Sequence, residues 1–146
     1  MLKKTTFFAR NYLSLQKRYF SEALSNRRVL VTGCYSQIGI PLVQALCDEV
    51  GEGNVFAADT REKKEIEVPC KFVTLDVTNQ SLYNKIVVDN RIDYIVHLEA
   101  LMFDLGETFP NPATQVNTEG CMNALNIARE RKAGIFLPSN IAYFGG

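Results

Sequence analysis

Short apolar runs rich in β-branched residues recur five times after residue 28, alternating with turns and, after most of them, stretches of helical spacing. The runs are Arg28–Thr32, Asn54–Ala58, Lys71–Leu75, Asp93–Leu98 and Gly134–Pro138. They are nearly continuous in apolar character, so both faces of each strand must be covered, which is the condition of a parallel sheet. Between them, Gln37–Val50 places Ile38, Leu42, Ala45, Leu46 and Val50 on one helical stripe, stopped by Gly51 and Gly53. Leu82, Ile86 and Val87 mark a shorter helix with Thr78 or Asn79 as its cap. A long helix is expected from about Ala113 to Arg131, with Val116, Gly120, Asn123, Ala124, Ile127 and Ala128 facing inward. Arg61–Val68 is charged and irregular and reads as a loop, and Asp104–Asn111 is a polar stretch with Gly106 and Pro110. Right-handed crossovers then give an α/β, Rossmann-like, doubly wound parallel sheet of about five strands.

Charge divides the chain in two. Residues 1–28 carry seven basic residues and one acid, Glu22, whereas 29–146 carry nine basic and 15 acidic residues. The acidic body argues against a nucleic-acid partner, and no apolar run is long enough to span a bilayer. The leader resembles a mitochondrial presequence. Phe8, Tyr12, Leu15 and Tyr19 form one helical stripe and Lys3, Arg10 and Lys17 another on the opposite face. Arg18-Tyr19-Phe20-Ser21 fits a processing region. A disordered basic tail or a surface amphipathic helix are the plainer alternatives. The expected organisation is thus a leader at 1–27, a domain at 28–146, and a matrix location. Four cysteines (Cys34, Cys47, Cys70, Cys121) lack a C-x-x-C pair and only His97 could join them, so no metal site is expected.

The first strand runs into Thr32-Gly33-Cys34-Tyr35-Ser36-Gln37-Ile38-Gly39. A strand, a glycine turn and a helix start form the setting in which backbone N–H groups and the helix dipole hold a pyrophosphate. Gly33, Ser36, Gln37, Ile38 and Gly39 are the residues placed to do this. An acid about 20 residues on should grip the adenosine ribose, and Asp59 stands there, favouring NAD over NADP; Arg61 weakens that preference. The plainer role for Asp59 is a strand-end turn residue. Cys34 in such a loop could have a lowered pKa, although inert packing suits it better. His97 at a strand end reads as a packed, hydrogen-bonded residue.

These motifs resemble the extended short-chain dehydrogenase/reductases, or NAD-dependent epimerase/dehydratase family. The likeness covers Arg28 to Gly146. It extends from the glycine turn to Leu75-Asp76-Val77-Thr78, His97-Leu98-Glu99-Ala100-Leu101 with Gly106-Glu107, Val116-Asn117-Thr118-Glu119-Gly120, and Phe136-Leu137-Pro138-Ser139-Asn140-Ile141-Ala142-Tyr143-Phe144-Gly145. The last run is similar to the L-threonine 3-dehydrogenase branch. The resemblance implies NAD as cofactor, with Asp76, Val77, Leu98, Ala100 and Asn117 joining the cofactor residues. It implies L-threonine as the small-molecule substrate and Ser139 or Asn140 near the substrate oxygen. Ser139 is either a substitute for the family's hydroxyl residue or structural, and Asn117 is expected to brace backbone.

The sequence departs from the family at three places. Ser36 replaces the middle glycine, where it would clash with phosphate or donate to it. Glu99 replaces a small residue near the cofactor. No Tyr-x-x-x-Lys pair is present: Tyr83 leads to Val87 and Tyr94 to Leu98. The expectation is therefore a form missing the C-terminal part of the family fold, inactive alone, with an undercovered apolar edge that a homo-oligomer or a partner chain would complete. The alternatives are a non-catalytic NAD-binding module and a nucleotide-sugar epimerase/dehydratase fragment.

Overall fold

The computed structural model describes residues 24, 26–61, 66–101, 108 and 110–139. The helical leader, the Gly106-Glu107 pair, Asn140 and the Tyr143-Phe144 end of the apolar edge lie outside the described residues. Five strands form one parallel sheet: β1 (Val29–Thr32), β2 (Val55–Asp59), β3 (Lys71–Thr74), β4 (Tyr94–His97) and β5 (Gly134–Phe136). Their order is β3-β2-β1-β4-β5, so the chain winds outward from β1 on one side, then crosses to the other. The helices are α1 (Gly39–Val50), α2 (Gln80–Asp89), α3 (Pro110–Thr114) and α4 (Cys121–Arg131), with a π-helical stretch at Gln115–Gly120 joining the last two.

Strand alternation explains why the runs are apolar throughout. Leu30, Phe56, Ala58 and Ile95 point to one face and pack with Tyr83, Ile86 and Val87 of α2 and Ala124, Ile127 and Ala128 of α4. Val29, Val31, Val55, Ala57 and Val96 point to the other, against Val43, Leu46 and Cys47 of α1. Leu24, buried, belongs to this second cluster, so the packed unit reaches back a few residues before Arg28.

Between the two caps suggested by the sequence, Asn79 is the one used: its side chain accepts from the Leu82 amide at 3.0 Å. The last helix begins at Pro110, earlier than the pattern suggests, because prolines in a first helical turn surrender no intrahelical hydrogen bond. It is not one uniform α-helix. Gly120 packs so closely that a Cβ there would stand 2.5 Å from a Val77 methyl. One turn on, Asn123 donates its amide to the carbonyls of Val77 (3.0 Å) and Thr78 (3.1 Å). Asn123, expected on or near the inner face, lies there and ties the helix to the loop after β3.

Candidate functional site

The switch in strand order opens a crevice at the C-terminal ends of β1 and β4, where ligands of doubly wound sheets bind. The glycine turn enters it from β1. Gly33 has φ +68°, a left-handed conformation, and a Cβ there would stand 2.8 Å from the Glu99 amide nitrogen. Gly39 is closed in from the other side, since its Cβ would stand 2.5 Å from the Gly33 carbonyl oxygen. Both outer glycines of the motif are therefore required by backbone contact.

Ser36 has a partner within the loop. Its Oγ accepts from the Gly39 amide at 3.0 Å and so caps α1 from within the loop. Its own amide donates to the Gly33 carbonyl, and the Cys34 amide to that of Ala58. The amides of Gln37 and Ile38 are not among these internal donors. They lie at the positive end of a 12-residue helix, and the Ile38 side chain is 67% exposed in front of the core. Two uncommitted N–H groups at a helix start are the kind of donors that an anion can engage.

Asp59 ends β2 and is 1% exposed. Its Oδ2 accepts from the Tyr35 amide at 3.1 Å, and its Oδ1 from Arg61 through the amide (3.2 Å) and Nε (3.4 Å). One oxygen thus shapes the glycine turn, while the other faces an exposed arginine that solvent screens. Both readings of Asp59, structural and ligand-binding, have a carboxylate oxygen available to them. Asp76 is exposed and closes its own turn, accepting from the Thr78 amide (2.9 Å) and hydroxyl (2.7 Å); Val77 beside it is buried.

After β4, the Leu98 amide donates to the Thr32 carbonyl, and Ala100 is exposed. Asn117, from the π-helical stretch, clamps the Leu101 peptide in both directions at 2.9 and 3.0 Å, the bracing contact expected of it. Ser139 lies exposed beyond β5. Cys34 is fully buried. Cys70 is also shielded, its thiol pushed up to about 12 by burial and by the neighbouring Cys47. The thiols thus belong with the core.

Beneath the crevice lies a buried polar cluster that motif matching passes over. Thr32 and His97 are register partners on β1 and β4, and the hydroxyl and Nδ1 lie 3.0 Å apart. Tyr83 stacks on the imidazole with ring centroids 6.5 Å apart; its hydroxyl lies against Thr32 outside good hydrogen-bond geometry. Burial pulls His97 down to about 4, so the ring is neutral. The signal in the sequence was two polar residues closing otherwise apolar strands. Glu99, next to this cluster, is half-buried and its Oε2 has no hydrogen-bond partner. Burial and the carboxylates of Asp59 and Asp76, against Arg61, push it up to about 7.

Comparison with known proteins fits this geometry. The mitochondrial L-threonine 3-dehydrogenase of Bos taurus is 36% identical over 127 residues, 86% of this chain and 34% of its own. A Homo sapiens protein described as an inactive mitochondrial L-threonine 3-dehydrogenase is 34% identical, over 81% of this chain and 52% of its own. The crystal structure of L-threonine dehydrogenase from Clostridium difficile superposes with a TM-score of 0.77 at 35% identity, over 81% of this chain and 38% of that one. The chain thus spans about a third to a half of the length of these relatives. The model of the NAD-dependent epimerase/dehydratase family matches residues 29–143, and the chain belongs to that family.

Proposed function

We propose that this chain is the dinucleotide-binding unit of an L-threonine 3-dehydrogenase type of protein, and that it binds NAD in the crevice between β1 and β4. The carrying observation is the pair of uncommitted amides, Gln37 and Ile38, at the start of α1, held by a turn whose outer glycines admit no side chain. These amides would hold the diphosphate. The Asp59 Oδ1 would accept from the adenosine ribose once the exposed Arg61 side chain swings aside, and its charge disfavours a 2′-phosphate. Asp76 and Val77 would border the adenine, and Leu98 and Ala100 the wall after β4. Asn117 acts through the Leu101 peptide and keeps that wall in place.

In the reaction of the threonine dehydrogenases, NAD supplies the hydride acceptor. Ser139 and Asn140 are the residues that the family resemblance would put near a substrate oxygen, and no Tyr-x-x-x-Lys pair occurs in these 146 residues to supply a base. These residues by themselves therefore hold cofactor without turning it over. The mitochondrial names of the relatives and the basic leader support a matrix location. A second reading, a non-catalytic NAD-binding module, draws on the human relative described as inactive. Association with a second copy or a partner chain follows from β5, an edge strand with Phe136 half exposed.

Calorimetric titration of the full chain with NAD and NADP tests this. NAD should bind at least about tenfold more tightly than NADP, and Asp59→Asn should narrow that ratio. A folded sample that gives no heat with NAD would overturn the proposal. Threonine added with NAD should yield no NADH from these residues alone.

A further inference from the structure

Glu99 stands where a carboxylate should not be tolerated beside an anionic dinucleotide. Its backbone nitrogen abuts the glycine turn, 2.8 Å from the place of a Gly33 Cβ. Its Oε2 is buried and has no hydrogen-bond partner. The charged groups that face it are Asp59 at the end of β2, Asp76 after β3, and Arg61, the single cation among them. His97, on its own strand, is held neutral by burial and offers no compensating charge. A carboxyl group so placed has two states with opposite consequences. Ionised, it adds a negative charge to a crevice that already holds two. Protonated, it gains an O–H donor, which Oε1, the carboxyl oxygen that is not sealed off, can turn toward that space.

Resting on the dinucleotide site above, we propose that Glu99 is a specificity-determining residue: the chain binds NAD with Glu99 as the neutral acid, its O–H donating to an oxygen of the dinucleotide, and affinity falls as pH rises past neutrality. Above neutral pH, binding takes up one proton from solvent onto the Glu99 carboxylate; no other bond changes. Because the group titrates at about 7 in the free protein, its protonated fraction falls from about nine-tenths at pH 6 to about one-tenth at pH 8. Affinity should follow by about tenfold.

The test is NAD calorimetry on the full chain at pH 6, 7 and 8, in two buffers of different protonation heat, for the unaltered protein, Glu99→Gln and Glu99→Ser. The unaltered protein should weaken about tenfold across this range, with proton uptake growing toward one per NAD. Both variants should lose the slope and the uptake, and Glu99→Gln should bind at pH 8 more tightly than the unaltered protein. Variants that retain the slope, or that are folded by circular dichroism yet lose NAD at every pH, would overturn the role of Glu99 alone. Folded protein that ignores NAD at every pH, with and without the substitutions, would overturn the dinucleotide reading itself.

Discussion

Acidification from pH 7 to 4.5 sets two groups of the crevice against each other. His97 is the chain's single histidine, 4% exposed, and burial holds it at about 4 instead of 6.5. As pH falls below 6.5 the unfolded chain takes up this proton and the folded chain does not, so stability is lost between 6.5 and 4. Integrated from pH 7 to 4.5, the loss is about 2.5 kcal/mol. Glu99 works in the opposite direction. Its folded value of about 7 lies above the ordinary 4.5, so the folded chain binds its proton first and stability is gained between pH 7 and 4.5. Full burial would give a gain of similar size, but Glu99 is only half-buried and solvent screening leaves about half, roughly 1.3 kcal/mol. Urea denaturation followed by circular dichroism at both pH values, compared within each variant, separates the two. Glu99→Gln should lose about 1.3 kcal/mol more on acidification than the unaltered protein, and His97→Gln about 2.5 kcal/mol less. The remaining carboxylates cancel in these comparisons. If His97→Gln showed the same pH dependence as the unaltered chain, the buried neutral imidazole would not be what acid attacks.

Ser36 caps α1 through its hydroxyl, so Ser36→Ala should lower stability by about 1 kcal/mol and Ser36→Gly by only a few tenths, read from thermal melts. Gly39→Ala would drive a Cβ to 2.5 Å from the Gly33 carbonyl oxygen and 2.6 Å from that of Cys34. Backbone cannot yield cheaply there, and a loss of about 2 kcal/mol or more in urea is expected; a neutral result would mean the turn is built differently.

What could be read in the sequence was whatever a local pattern encodes. The five strands were legible to within a residue or two because the three central ones, β1, β2 and β4, are covered on both faces and read as apolar runs, and the outer two keep short β-branched or aromatic cores. Gly33, Gly39 and Asp59 were legible because their spacing follows from the strand-turn-helix path. The residues whose role depends on a distant partner were not. The sequence sets Ser36 against phosphate alone, and the bond it accepts from the Gly39 amide three residues on is not foreseen there. Thr32 and His97 meet across 65 residues of chain, and Asn123 reaches back 46 residues to Val77. The pattern places the helix from about Ala113 after a polar stretch containing Pro110, yet Pro110 and Pro112 already lie in its helical turn. The left-handed Lys132 (φ 55°) that ends α4 also carries no glycine to announce it.

The π-helical stretch at Gln115–Gly120 acts as a phase shifter in an otherwise continuous rod. A helix wound with one residue too many per turn advances the rotational position of everything beyond it by about 100°. Within the stretch, Asn117 holds the Leu101 backbone; beyond it, Ala124, Ile127 and Ala128 look toward the sheet. Deleting a single residue from this stretch would wind it back to an α-helix and leave one of the two sets misaligned. The irregularity lets a single helix obey two geometries, one set by the chain after β4 and the other by the core.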